Sequence, residues 1–377
     1  MNFTIDREVL LENLVVVSRA LPTKTAMPIL TGIKIVAKDN ELLLIANNTD
    51  LSIQVLINDK SLTIEEEGVI VYDGKQLLEI VRAQNAKQIN MTMVEEKLVV
   101  LKAERFKSDL ILFDADNYPN MEFIPLTKPL MLDAKIMKQL IKETAYACAT
   151  SEKRPILTGV NFKYSKGQLT AIATDSFRLS RKYIFTEEIN ADFDLVIPKP
   201  TLDDLMKTIE SYNETLEIYF TTNKILFKFN NTLFQSRLLE GAYPDTSRLI
   251  PDSFPINLKF NKEDLIGAIE RVGVLSPKDK ENNYNVVRLF NTESQVCEIL
   301  TKNNEKGAAS EQVVQLDNSE YCPLKIAFSS KYILDALRSF TSTEIILSFS
   351  GEVKPFIIQG ESDLNLTHLV LPIRVDW

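Results

Sequence analysis

The chain has 377 residues, 45% apolar and 25% charged, the composition of a globular protein with room for two to four domains. Its formal charge of −9 argues against a nucleic-acid partner if the charge is spread evenly. No run approaches the roughly 18 apolar residues of a membrane span, and the opening MNFTIDREVLLEN, with acids among its apolar residues, is no signal peptide.

The first element, FTIDREVLLENL, sets Asp6 just ahead of a helical apolar pattern, where it is suited to cap the helix. PILTG follows from Pro28, then KIVAKDNELLLIA, two alternating strands around a DN turn, ending near the TD pair Thr49–Asp50. VIVYDGKQLLEIVRA predicts a second helix, and DNYPNMEFIP closes the stretch at Pro125. LMLDAKIMKQLI then opens the same series again, with Asp133 in the place of Asp6. In its helix Ile136, Met137, Leu140, Ile141 and Cys148 form an apolar stripe, while Lys135, Lys138 and Lys142 lie on another face. PILTG returns 127 positions on, in RPILTGVNFKYSKGQLTAIATDSFR, with a KG turn and a second TD pair, Thr174–Asp175. LVIPKPTLDDLMKTI and the strands of LEIYFTTNKILFKFNNTLFQSRLL lead to GAYPDTSRLIP, the counterpart of DNYPNMEFIP. A third, weaker copy begins at INLKFNKEDLIGAI with Asn261 as its cap, and includes LKIAFSSKYILDALRS.

Three copies of about 125 residues fill the chain, a period far too long for a solenoid repeat of roughly 20 to 50 residues. The expected domains are residues 1–126, 127–252 and 253–377. Each is an α+β unit of two helices and two antiparallel meanders, with no Gly/Ser-rich linker between them.

Chemistry is poorly provided for. Cys148, Cys297 and Cys322 are scattered, without CxxC, and read as reduced thiols of the core in a cytosolic protein. The single histidine, His368, precludes a Cys/His zinc cluster, and neither GxxxxGK[ST] nor GxGxxG after a strand occurs. No cofactor is expected.

Charge is not evenly spread. The six helical stretches together carry +6, leaving −15 elsewhere. In the middle helices Glu79, Asp204 and Asp335 coincide in the repeat, as do Arg82, Lys207 and Arg338. The plain reading is three i,i+3 pairs on solvated faces, worth about 0.2–0.5 kcal/mol each. A basic residue at one repeat position in all copies also suits sequence-independent attraction to phosphates.

PILTG twice, ATDSFRLS, LLEGAYPDTSRLIP, FSSKYILDAL and the terminal LVLPIRVDW together resemble the bacterial DNA polymerase III β subunit, the sliding clamp, over the whole chain and most of all those of low-GC Gram-positive bacteria. The resemblance implies a head-to-tail homodimeric ring of six domains, helices lining the hole and sheets outside. It implies a non-catalytic, cytoplasmic processivity factor that encircles duplex DNA, is opened by a clamp loader and tethers the replicative polymerase and other motif-bearing partners. It also implies a peptide pocket with Leu157, Thr174, Asp175, Ser176, Phe177, Arg178, Leu179, Pro244, Arg248 and Leu249 on one wall. The other wall is Ser329, Tyr332, Val353 and the tail Leu369, Val370, Leu371, Pro372, Ile373 and Arg374. Arg178 and Arg374 are expected to meet polar or acidic groups of the partner. Phe177 stands where many relatives have a polar ring and Ser329 where Asn is usual. For DNA the candidates are Lys24, Lys153 and Arg154 in loops, with Arg82, Lys138, Lys142, Lys207 and Arg338 on helices. The dimer junction would use Leu110 against Val274 and Leu275 of another subunit.

Two other readings remain open. One is an enzyme with Asp50 and Asp175 as acid/base carboxylates, although each is more simply a turn cap. The other is a scaffold that binds proteins but not DNA.

Overall fold

A computed structural model describes residues 1–126, 128–186, 192–277, 285–293, 296–303, 305–316 and 323–375, less the side chains of Thr292 and Glu293. Cys322 lies outside these residues.

The three copies share one order of elements. The first runs β1 (Asn2–Asp6), α1 (Arg7–Val17), β2 (Gly32–Lys38), β3 (Glu41–Asn47), β4 (Leu51–Ile57), β5 (Thr63–Glu66), β6 (Gly68–Asp73), α2 (Gly74–Ala83), β7 (Gln88–Glu95), β8 (Leu98–Ala103) and β9 (Phe106–Ile111). The second, with no counterpart of β5 among the described residues, runs β10 (Leu130–Asp133), α3 (Ala134–Thr144), β11 (Gly159–Ser165), β12 (Gln168–Thr174), β13 (Arg178–Phe185), β14 (Phe193–Pro198), α4 (Lys199–Thr208), β15 (Thr215–Phe220), β16 (Lys224–Phe229) and β17 (Thr232–Arg237). The third repeats the second: β18 (Ile256–Asn261), α5 (Lys262–Gly273), β19 (Val286–Glu293), β20 (Val296–Asn303), β21 (Gly307–Val314), β22 (Leu324–Ser329), α6 (Ser330–Ser339), β23 (Glu344–Phe349), β24 (Phe356–Gly360) and β25 (Leu366–Val370). The six expected helices are all present.

Local chemistry accounts for the repeated words. In both PILTG segments Pro opens a 3-10 turn, Leu30 or Leu157 is buried, and the Thr hydroxyl donates back to the Pro carbonyl at 2.8 Å and 2.7 Å. The closing glycine allows close approach: a Cβ on Gly159 would lie 2.5 Å from the Ile197 carbonyl oxygen, and on Gly32 2.6 Å from Val71 Cγ1. The DN and KG turns have both residues at positive φ (Asp39 51°, Asn40 60°; Lys166 50°, Gly167 76°), as tight hairpins require. Asn261 Oδ1 accepts from the N–H groups of Glu263 and Asp264, and Asp133 Oδ1 from that of Lys135. Asp6 departs from the expected cap: its side chain makes no capping bond.

The chain packs as two compact units. One comprises Met1–Ile136 and Pro200–Leu238, the other Met137–Lys199 and Leu239–Trp377. In the first, an eight-stranded sheet runs β10-β15-β16-β17-β4-β3-β2-β6; in the second, another runs β14-β11-β12-β13-β25-β24-β23-β18. Each is two half-sheets joined antiparallel, β4 to β17 and β13 to β25, so a sheet is completed by strands from neighbouring copies. The remaining half-sheets are β5-β1-β7-β8-β9 in the first unit and β21-β20-β19-β22 in the second. In the second unit α5 and α6 bury Leu265, Ala268, Ile269, Val272, Ile333, Ala336 and Leu337 against the strands, the large apolar core.

Candidate peptide pocket and cationic residues

The TDSFRL segment turns sharply between β12 and β13. Asp175 Oδ1 accepts from the N–H groups of Phe177 (2.9 Å) and Arg178 (3.0 Å), and Ser176 takes φ 78°. The turn leaves Phe177 44% exposed and folds Arg178 inward, where it is 8% exposed. Arg178 Nε donates to Asp175 Oδ2 (3.0 Å), Nη1 to Asp335 Oδ2 (2.7 Å) and Nη2 to the Tyr146 carbonyl (2.8 Å). Its guanidinium lies over the rings of Tyr332 (4.5 Å) and Tyr146 (5.3 Å). Burial opposes the charge, but the bond to Asp335 and the Asp175 carboxylate outweigh it and raise the Arg178 pKa. Arg178 is therefore engaged within the fold by three groups. It positions the turn. Asp335, taken by Arg178, does not pair with Arg338, whose Nη2 instead donates to Glu270 at 2.6 Å. Of the three expected i,i+3 pairs, Asp204–Lys207 forms, at 3.9 Å.

On the sheet face beside this turn Leu179, Ile357 and Leu369 make a buried apolar patch, with Ile172, Ile250, Phe254 and Leu371 packed on it. The tail leaves β25 along it: the Leu371 N–H donates to the Phe177 carbonyl (2.9 Å) and that of Ile373 to the Ala327 carbonyl (2.7 Å). A cleft of about 150 Å³ is lined by Glu352, Val353, Pro355, Leu371, Pro372, Ile373 and Arg374. Pro244, Arg248, Leu249, Ser176, Val353 and Arg374 are exposed, and Leu371, Pro372, Ile373 and Tyr332 half-buried. Such a surface, apolar with a few polar edges, suits an extended peptide with apolar anchors. Seven expected wall residues are buried: Arg178, Leu179 and Leu369, already described, and four more. Leu157, Thr174 and Val370 are buried, and Ser329, 1% exposed, caps α6 by accepting from the Tyr332 N–H.

The first unit holds a counterpart of this surface with different chemistry. Where the second unit has Leu179, Leu369 and Leu371, the equivalent register places Ser52, Gln235 and Arg237. A cleft of about 400 Å³ there is lined by Asn47, Asp50, Glu122 and Lys224 among others. Gln235 closes on the connecting chain, accepting from the Ile124 N–H (2.8 Å) and donating to the Glu122 carbonyl (3.0 Å). The apolar patch is thus a property of the second unit's joint.

Among the cationic candidates Lys24, Arg82, Lys142, Lys153, Arg154, Lys207 and Arg338 are exposed, and Lys138 is half-buried. Lys207 and Arg338 share their charge with Asp204 and Glu270. Of the expected junction residues, Val274 is 78% exposed, Leu275 half-buried, but Leu110 only 2% exposed: it faces the core from β9, and its neighbour Ile111, 79% exposed, takes the outer position.

The acid/base reading loses its geometry. His368 is buried between the Tyr146 hydroxyl (Nδ1, 2.6 Å) and Ser339 Oγ (Nε2, 2.7 Å), and burial, with Arg178 nearby, lowers its pKa to about 3. Cys148 and Cys297 are buried thiols, and burial pushes Cys297 up to about 12. Asp175 caps a turn as expected, while in the first copy the same bonds go to Asn48, whose Oδ1 accepts from the N–H groups of Asp50 and Leu51.

Sequence models of the DNA polymerase III beta subunit match in three consecutive pieces: the N-terminal domain over residues 1–122, the central domain over 131–245 and the C-terminal domain over 247–374. The chain belongs to the DNA polymerase III beta subunit family. A beta sliding clamp of Staphylococcus epidermidis is 34% identical over 379 residues, covering 99% of both chains. The crystal structure of the sliding clamp of Bacillus subtilis is 35% identical and covers 100% of both chains with a TM-score of 0.94. That of the DNA polymerase III beta chain of Streptococcus pneumoniae is 33% identical, covers 99% of this chain and 100% of that one, and gives a TM-score of 0.95. Membership of the beta-subunit family accounts for the threefold order of elements and for the fold of each copy.

Proposed function

We infer that this chain is a DNA sliding clamp, a non-catalytic processivity factor that works as a homodimeric ring around duplex DNA. The observation that carries the ring is the strand order. Two eight-stranded sheets are complete within the chain, each closed by the same kind of joint, and the two half-sheets left over end in β9 and β21, edges left open among the described residues. In the repeat β9 corresponds to β17 and β25, and β21 to β4 and β13, so the open edges are the two halves of a third joint. An unpaired edge invites pairing with another chain. Two copies joined head to tail form two such joints and leave neither edge open. The domains we assign are residues 1–126, 127–252 and 253–377, with helices toward the hole.

DNA is held by charge alone, through Lys24, Lys153 and Arg154 in loops and Arg82, Lys138, Lys142, Lys207 and Arg338 on helices, against an acidic remainder. The exposed apolar surface beside the Phe177 turn and the Leu371–Arg374 tail receives linear motifs of the replicative polymerase, the clamp loader and other partners, in the cytoplasm. The test uses loaded protein on a closed circular duplex. Retention on the circle and release when it is cut is the expected outcome; equal release from both forms would leave a protein-binding scaffold as the better reading.

A further inference from the structure

Resting on the dimer reading above, we propose the register of the joint between copies: Ser108 of one copy lies opposite Ala309 of the other, flanked by Phe106 opposite Glu311 and Leu110 opposite Gly307.

The two joints inside the chain share a single frame. Leu51, Ile53 and Val55 oppose Ser236, Phe234 and Thr232; Arg178, Ser180 and Lys182 oppose Val370, His368 and Leu366. The flanking hydrogen bonds agree: Arg237 N–H to the Asp50 carbonyl and Leu371 N–H to that of Phe177 at one end, Leu56 N–H to Asn231 and Tyr183 N–H to Asn365 at the other. These bonds make the residues just named non-hydrogen-bonded pairs, whose side chains approach most closely.

Each open edge is placed in that frame by its own hairpins. The β16–β17 hairpin closes on Phe229 opposite Thr232, and β8–β9 closes on Ala103 opposite Phe106, so Phe106, Ser108 and Leu110 correspond to Thr232, Phe234 and Ser236. On the other side Gly32 opposes Asp73 and Val286 opposes Ser329, in each case the residue before the second helix. From there Lys34 leads across Ile45 to Gln54, and Arg288 leads across Leu300 to Ser310. Ser310 therefore corresponds to Gln54, and Gly307, Ala309 and Glu311 to Leu51, Ile53 and Val55.

The side chains suit the pairing. Small Ala309 and Gly307 face Ser108 and Leu110, and Glu311 is held against α5 by Arg271 (Nε to Oε2, 2.8 Å). Phe106, Ile111, Val274 and Val314, at 39%, 79%, 78% and 63% exposed, flank the two edges and lack cover within one chain.

The test is disulfide formation in the full chain. Ser108→Cys with Ala309→Cys is expected to oxidise at least tenfold faster to a covalent dimer than Ser108→Cys with Glu311→Cys or Phe106→Cys with Ala309→Cys, which report slips of two residues in opposite senses. Single-cysteine variants control for the natural thiols, and native mass is measured on every variant. A slipped pair that closes faster in a protein of dimer mass overturns the register and leaves the dimer standing. Monomer mass for the parent at every concentration overturns the dimer itself, and the register with it.

Discussion

Arg178 and Asp335, 157 positions apart, share a hydrogen bond of 2.7 Å that ties the turn after β12 to helix α6. The same guanidinium holds Asp175 and the Tyr146 carbonyl, and Phe177 next to it carries the carbonyl that receives the tail. The shape of the surface beside the Phe177 turn is thus set by a buried charge.

Replacing Arg178 by Met should leave Asp335 and Asp175 without their partner. A stability loss of about 3 kcal/mol is expected, the lower range for breaking a buried pair. Motif-peptide affinity should fall as well, and Arg178→Lys should restore only part of each. Denaturant unfolding and peptide titration measure the two; peptide affinity equal to the parent's would return Arg178 to a purely structural role.

His368 links stability to pH. Its folded pKa of about 3 lies far below the ordinary value of 6.5, so the unfolded chain binds the proton first. The contribution is complete above about pH 6.5 and is lost as pH falls toward 3, by at most about 1.4 kcal/mol per pH unit. Between pH 7.5 and 5.5 the melting temperature of the parent should fall more steeply than that of His368→Gln. Parallel curves would show that carboxylates alone set the slope.

Reversal of Lys24, Lys153 and Arg154 to Glu should weaken retention on DNA and flatten its salt dependence. The logarithmic slope should drop by up to about 3, near 0.9 for each phosphate no longer neutralised. Arg338→Gln and Lys207→Gln should do less, because Glu270 and Asp204 already share those charges. Identical slopes for the triple variant and the parent would exclude the loops from the DNA face.

A chain ending at Val370 keeps every pair of β25 with β13 and β24 but loses the bonds of Leu371 and Ile373. Unaltered cooperative unfolding with no measurable motif-peptide binding is the expected result. Binding at the parent's strength would move the pocket elsewhere.

Gly159→Ala puts a methyl 2.5 Å from a backbone oxygen, which cannot swing aside, and should cost about 1–3 kcal/mol. Gly32→Ala meets a valine methyl, which can move, and should cost less. Thermal unfolding of the two variants orders them; the reverse order would refute the packing account of PILTG.

Helices, hairpins and the threefold order were legible because they follow from local patterns that the chain writes three times. The TD pairs show the limit of such reading. They recur 125 positions apart, yet the turns they lie in are related by 127: Asn47 and Asn48 make the bonds that Thr174 and Asp175 make, and Thr49 matches Ser176 in its positive φ. Two threonines and two aspartates agree by coincidence, which spacing alone cannot expose. That Leu110 and Ser329 are buried within one chain was not legible either, since a step of one residue along a strand reverses a side chain and only the pairing register fixes which way it points.

By itself the sequence determined the module, its three copies and the positions of its turns, because those depend on residues near one another in the chain. Which edge strands find partners, and which arginine is consumed in holding a loop, were decided by tertiary structure. Both depend on groups more than a hundred positions apart, brought within hydrogen-bonding distance only when the half-sheets close.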